Sequence, residues 1–501
     1  MDLLGQPRLN LDILRLACNY LTDVPDVLYF ALTCSALTED GFRRRLSMSP
    51  INLPDAESVH SFHTFIFSNE LGRAPFIHGL ELGKLLFDDV EEDDLELQTV
   101  NNRLVAILQG ASHIQYLRFP SDMTLDPVFA AAANTTTLRK IHMVFVSSME
   151  PSWKLLPTFH SPLRSLRIDG SYRACNYFCA SLLSDNLATF APTLEVLDLF
   201  ELVLDLPPSS VTTQFTAVRS LGIGMVSDFG GLEILLQLFP NLSDRLSLGE
   251  IDTLGDRDHA TTTRECSKEA QQTNTWPRLD RVECDAESAF LMALQCPIGR
   301  MDVMLSHDSH VIRYLAPVLR DNCPRILRLT CFGPFNAGLD GVDSLFPPRG
   351  WSGKRKIISW KPTMDKLIDS VKHLRLTHLR LVLRFATVVH KPTQDSVAAR
   401  DTDTVSTAGD MDLRSTALRF VDAIPSLRHI FLSVMVNTYD SPPSNASKVW
   451  RIVRELRPTS HEDHQNGPNA NLESSGACVE LSWAVAERVI AEEEELLLSP
   501  N

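Results

Sequence analysis

The sequence predicts an α/β chain: a small helical module in front, then a long series of strand–helix units whose parallel strands line one concave face. Three observations predict it. The first is a short apolar trio, spaced apolar, two residues, apolar, one residue, apolar, which recurs from residue 77 to residue 432. The second is a helical apolar period ahead of many copies, as in 100–108, 232–239, 311–319 and 417–424. The third is proline between helix and strand, at Pro162, Pro192, Pro240, Pro277, Pro324 and Pro425, where it stops a helix.

Composition narrows the function classes. Hydrophobic residues make up 44% of the 501 and charged residues 22%, the balance of a chain with a large core. A net charge of −16 argues against non-specific nucleic-acid binding, which needs a basic surface to release counterions. The acidic runs at 88–94 and 492–495 read as a solvated loop and a helix face. No stretch reaches the ~18–20 apolar residues of a membrane span. Residues 1–8 lack a basic segment followed by an apolar core, so no secretory signal is expected. The ten cysteines are scattered among apolar neighbours, which predicts reduced thiols and a cytoplasmic or nuclear setting.

The front module spans residues 8–48. Its first helix covers about 9–21, with Asn10 as cap, Asp12 favouring the first turn, and Ile13, Leu14, Ala17 and Leu21 on one face. Thr22-Asp23-Val24-Pro25 makes a turn, and Pro25 starts a second helix carrying Val27, Leu28, Ala31 and Leu32. A third helix from near Thr38 holds Phe42 and Leu46. So few residues bury too little apolar area to be robust alone, so the module must dock on something.

The pattern Leu9-x-x-Asp12-Ile13-Leu14, then Leu28, then Ala31-Leu32-Thr33-Cys34-x-Ala36-Leu37 resembles an F-box. Asn10 stands where proline is usual in that family, and the tryptophan common near the end is absent. The resemblance implies a Skp-family adaptor and a cullin scaffold as partners, docked through Leu9, Ile13, Leu14, Leu28, Leu32 and Leu37.

Behind the module, residues 55–440 carry the trios, among them Ile77/Leu80/Leu82, Ile114/Leu117/Phe119, Leu138/Ile141/Met143, Leu163/Leu166/Ile168 and Leu194/Leu197/Leu199. They continue as Val218/Leu221/Ile223, Leu279/Val282/Cys284, Ile298/Met301/Val303, Ile326/Leu329/Cys331, Leu376/Leu379/Leu381 and Leu427/Ile430/Leu432. Arginine follows the first apolar residue at Arg139, Arg164, Arg219 and Arg428. Intervals such as 114 to 138 to 163 approach the ~20–29 residues of leucine-rich repeats. The chain thus resembles an irregular leucine-rich-repeat solenoid behind an F-box-like module, as in fungal F-box families. Polar stretches at 252–275 and 386–412 read as inserted loops and 441–476 as a flexible loop; 477–499 reads as a terminal strand and capping helix.

No constellation for catalysis emerges. Asp228-Phe229-Gly230 lacks the companion motifs of a kinase. The pairs His60/His63, His307/His310, His461/His464 and Cys175/Cys179 have no matching pair at zinc spacing. Neither a nucleophile elbow nor a phosphate-binding glycine loop is present, so no catalytic residue, metal or cofactor is assigned.

Side chains alternate along a strand, so the residue between the last two of each trio projects from the core onto the inner face. Those positions are Glu81, Arg118, His142, Arg167, Asp198, Gly222, Glu283, Asp302, Thr330, Arg380 and Phe431. With Tyr116 and Lys140 the early part is basic, and with Asp198, Glu283 and Asp302 the middle is acidic. A surface that changes sign selects a partner of complementary pattern. Client contacts are therefore expected at Tyr116, Arg118, Lys140, His142, Arg167, Asp198, Glu283, Asp302 and Arg380. The expected function is a non-catalytic substrate-recognition subunit of a Skp–cullin–F-box ubiquitin ligase; the alternative is a leucine-rich interaction scaffold without ligase association.

Overall fold

A computed structural model describes residues 10–68, 72–83, 94–119, 126–144, 156–170, 179–251, 257–305, 312–333, 360–387, 412–438, 441–454, 476–482, 484–486 and 488–489. The chain divides into two compact units, residues 1–228 with 237–241, and residues 229–236 with 242–501.

The first unit opens with α1 (Leu11–Tyr20), α2 (Val24–Leu32) and α3 (Ser35–Met48). The Asn10 side chain accepts the Asp12 N–H at 2.9 Å, and Pro25 lies in the first turn of α2, both as the sequence predicts. The module has its own small core of Cys18, Val27, Ala31, Leu37 and Leu46. Gly41 of α3 lies against Ala31 of α2 so closely that a Cβ at position 41 has no room, and this contact sets how near the two helices pass. Arg44 Nη2 ties α3 to the Leu21 carbonyl at 2.9 Å, and Arg15 Nε donates to Asp40 at 3.0 Å. The module is anchored to the segment 65–78 behind it. Arg73 pairs with Glu39 at 2.8 Å and lies over the Phe42 and Phe65 rings, and the His78 N–H donates to the Leu46 carbonyl.

The first unit then contributes seven strands: β1 (Ile51–Leu53), β2 (Gly79–Leu82), β3 (Tyr116–Phe119), β4 (Lys140–Val144), β5 (Ser165–Asp169), β6 (Val196–Val203) and β7 (Ser220–Ser227). They pair in chain order and in parallel, with helices such as 56–67, 94–110, 126–133 and 180–186 in the connections. The trio residues are buried: Leu80, Leu117, Ile141, Leu166, Leu197 and Leu221 form one row and Leu82, Phe119, Met143, Ile168, Leu199 and Ile223 the next. Each such side chain contributes about 1.5–3 kcal/mol relative to exposure.

The arginines of the repeat pattern have a mechanical explanation. The residue before each strand lends one carbonyl to two N–H groups of the next unit: His78 O to Gln115 and Tyr116, Gln115 O to Arg139 and Lys140, Arg139 O to Arg164 and Ser165, Arg164 O to Glu195 and Val196. The arginine side chains at these positions then reach forward. Arg139 Nη1 donates to Pro162 O at 3.2 Å and Arg219 Nη1 to Asn241 O at 2.6 Å. Main chain and side chain at one position thus both tie consecutive units, satisfying backbone groups outside the strands.

The second unit holds β8 (Arg245–Ile251), β9 (Leu279–Asp285), β10 (Ile298–Leu305), β11 (Ile326–Gly333), β12 (His378–Thr387) and β13 (His429–Thr438), again parallel and in chain order. Two expectations fail here. Residues 252–275, expected to be a loop, contain a helix over Arg257–Thr273. Its buried face is made of Ala260, Thr263, Arg264, Ser267 and Gln271, which keep helical spacing without large apolar residues. Those polar groups bond the neighbouring helix Ala286–Met292, the turn after it and the helix Ile312–Asn322: Gln271 Nε2 to Ala293 O at 3.0 Å, the Gln295 N–H to Gln271 Oε1, and Arg264 to Phe290 O and to Asp321 of the latter helix.

Residues 441–476, expected to be a flexible loop, begin with β14 (Ser441–Arg454), antiparallel to β13; residues 455–475 lie outside the described residues. Only residues 439 and 440 separate β13 from β14, and a parallel return needs a crossover of about a dozen or more. Val449, Trp450 and Ile452 supply the burial. β15 (Gly476–Glu480) pairs antiparallel to β14, as an expected terminal strand, and helical residues 484–486 come after it. Ala486 packs with Phe431 and Val449 beside Leu481 and Val489. Of the insertion at 386–412, residues 388–411 lie outside the described residues; Asp412 caps the helix Leu413–Ala423 by accepting the Arg414 and Ser415 N–H groups.

Candidate functional site

Two surfaces hold the residues singled out from the sequence. On the helical module, Leu9 lies outside the described residues. Ile13 and Leu32 are 58% and 72% exposed, Leu14 and Leu28 are half-buried, and Leu37 is fully buried in the module core. Leu37 is therefore a packing residue and not a contact, because it faces the interior of the helical triplet with Val27 and Ala31 rather than solvent. The structure adds residues that sequence reasoning misses: Leu16 at 55%, Tyr20 at 76% and Tyr29 at 72%. Ile13, Leu16 and Tyr20 recur at helical spacing on α1, and Tyr29 and Leu32 do so on α2. Five of the eleven large apolar side chains exposed among the described residues thus fall between residues 13 and 32, three on α1 and two on α2. The signal is a second apolar stripe on α1, hidden when Ile13 is assigned to the inner one.

On the strand face of the first unit, the predicted row is real. Glu81, Arg118, His142, Arg167, Asp198 and Gly222 stand level on consecutive strands, with Tyr116 and Lys140 paired one alternate position earlier. Arg167 and Lys140 are exposed; Tyr116, Arg118, His142 and Asp198 are half-buried. Asp169 joins two of them, accepting from His142 Nε2 at 2.7 Å and Arg167 Nε at 2.9 Å. Burial alone would raise the Asp169 carboxyl, but these hydrogen bonds and their charges hold it down at about 2. Burial, and after it the charge and hydrogen bond of Glu81, pushes the Tyr116 hydroxyl up. Glycine at 222 leaves the space in which the Asp198 carboxylate lies.

On the second unit the row runs Ser247, Glu283, Asp302, Arg328, Arg380, Phe431. This register corrects three expectations. Thr330 is one alternate position too far along β11, and Arg328 is the residue level with Asp302. Phe431 is covered by Ala486. Glu283 and Asp302 are not a free acidic patch: Arg245 bonds Glu283 at 2.8 Å, Arg281 bonds both carboxylates, and Arg300 bonds the buried Asp302 at 2.9 Å. The predicted acidic stretch is neutralised within the sheet.

Among the described residues no three His, Cys, Asp or Glu side chains gather as metal ligands, and no helix is long and apolar enough to cross a membrane. No protein-family model matches the sequence, and no curated protein matches it.

Proposed function

We propose that the chain is a non-catalytic substrate-recognition subunit of a Skp–cullin–F-box type ubiquitin ligase, acting in the cytoplasm or nucleus. The α1–α2 face would hold a Skp-family adaptor, and the first unit's strand face a protein client. The observation that carries the reading is the exposure of Ile13, Leu16, Tyr20, Tyr29 and Leu32 on a module that has its own core and its own anchor through Arg73. Large apolar side chains in that concentration fit a standing protein partner. The alternative, an interaction scaffold without ligase association, draws on the burial of Leu37, which removes one contact that the F-box resemblance implies.

Co-purification of a Skp-family adaptor with the full chain separates the two. Retention by wild type and loss in Leu16→Asp and Leu32→Asp, whose exposed side chains leave the fold unchanged, support the ligase reading. Failure of the folded wild-type chain to retain any adaptor leaves the scaffold reading. Reversing Arg118 and Arg167 to Glu is expected to weaken client capture and spare adaptor binding; equal loss of both would point to misfolding.

A further inference from the structure

Four arginines on the strand faces have carboxylate partners. Arg167 has Asp169, Arg245 has Glu283, and Arg281 and Arg300 share Asp302. Arg328 differs from these four. It stands level with Asp302, already bonded twice, on one side and with Arg380 on the other. Its Nε is buried with no hydrogen-bond partner. Arg384, on the same face of β12, repeats the condition: its Nε is buried without a partner and its guanidinium lies 5.5 Å from the Phe332 ring centroid. Among the described residues neither guanidinium has a carboxylate partner.

Arginines directly opposite on strands ~4.8 Å apart repel each other. A half-buried cation without a counter-charge is also costly. Among the described residues, the side chains around them on β11, β12 and β13 do not compensate, and Asp302 on β10 is engaged by Arg281 and Arg300. Ile326, Thr330 and Phe332 share the face on β11 and His378 and Val382 on β12; on β13 the face carries His429, hydrogen-bonded to His378 at 2.8 Å. None of these is acidic. An anion from outside would complete such an arrangement.

We propose that the β11–β12 face binds a phosphate group, with the Arg328 and Arg384 guanidinium groups as its principal donors and Arg380 beside them. Arg328 and Arg384 stand four residues apart along one face, and together they present more donors and more charge than one carboxylate can match. A phosphomonoester brings three acceptor oxygens and nearly two negative charges. The group's source is either a phosphorylated protein or a small polyphosphate. The inference needs only this strand face, so it stands or falls apart from the ubiquitin-ligase reading.

Calorimetric titration of the full chain at about 0.15 M salt, where surface attraction is largely screened, tests it with inorganic phosphate and tripolyphosphate as probes. Saturable tripolyphosphate binding is expected, weakened about tenfold or more by Arg328→Gln and by Arg384→Gln, as loss of a charge-assisted hydrogen bond implies. Arg328→Lys, which keeps the charge and loses the fork, should weaken it less, and Arg118→Gln in the first unit should leave it unchanged. Near-UV circular dichroism of each variant confirms its packing. No binding of either probe by wild type, or equal binding by wild type and both Gln variants, overturns the proposal. Once binding is found, a degenerate phosphoserine peptide that displaces tripolyphosphate better than inorganic phosphate does assigns the source to protein. Displacement no better than inorganic phosphate assigns it to a small polyphosphate.

Discussion

Arg281 of β9 and Asp302 of β10 are joined across the strand face by a 2.7 Å bond from Nη2 to Oδ2, and Arg300 donates to the other carboxylate oxygen at 2.9 Å. Asp302 is thus a tie between strands. The side chain of Arg300 is only 5% exposed, so Asp302→Ala takes a carboxylate partner from a buried cation and from Arg281 together, and should cost about 3 kcal/mol. Glu283→Ala removes a carboxylate whose partners Arg245 and Arg281 are better solvated, and should cost under about 1 kcal/mol. Urea unfolding of the two variants checks the order. A cost at Asp302 no larger than at Glu283 would make it a surface residue after all.

The spacing of α2 and α3 is set by a close approach of Gly41 to Ala31. Gly41→Val places a branched side chain where the Ala31 methyl already sits, so α2 and α3 must separate. Overpacking of this kind costs about 1–3 kcal/mol. Thermal unfolding should show the loss, and adaptor binding should fall with it. A variant as stable as wild type would mean that the two helices adjust freely.

The first unit should lose stability in acid through Asp169. Its folded-state value of about 2 lies below that of an unfolded aspartate, near 4. The contribution is therefore complete above about pH 4 and disappears as pH falls toward 2. The side chain is 38% exposed, so solvent screening keeps the gain below about 1 kcal/mol. Denaturant midpoints from pH 5 to pH 2 should fall less steeply for Asp169→Asn than for wild type. Parallel curves would show that the bonds to His142 and Arg167 add nothing.

Thiol chemistry should track burial. Burial pushes the Cys331 thiol up to about 12 and Cys284 well above its ordinary value, whereas Cys266 and Cys323 are exposed. The thiolate is the reactive form. A chromogenic disulfide reagent should therefore modify Cys266 and Cys323 in the native chain, and Cys284 and Cys331 only after denaturation. Early labelling of Cys331, read by mass spectrometry, would contradict the packing of β11.

The parallel strands are legible in the sequence because the trio records the alternation of a strand packed on one face. Where the trio is incomplete, reading fails. β8 aligns Ser243, Leu246 and Leu248 with Leu279, Val282 and Cys284, and a serine in first place conceals it. β1 escapes because Met48, the first member of its trio, ends a helix. On β11 the first place is Pro324, so the apolar spacing points two residues late. A shift of two keeps the face and changes the level, which is why Leu329 and Cys331 belong to the core as expected while Thr330 stands in for Arg328. The helix 257–273 escapes because its buried face is polar and small, and its stability comes from hydrogen bonds to carbonyls that no periodicity announces. The neutralised Glu283 and Asp302 show the limit for sites: the sequence names the charges, and only strand register says which ones meet.

Hydrogen–deuterium exchange on the full chain, with and without a Skp-family adaptor, decides whether the helical module is a docking surface. Added protection is expected over α1 and α2, residues 11–32, where the exposed Ile13, Leu16, Tyr20, Tyr29 and Leu32 lie, with the strands of both units unchanged. Unaltered exchange across residues 11–32 at saturating adaptor, or protection confined to the strands, would contradict it.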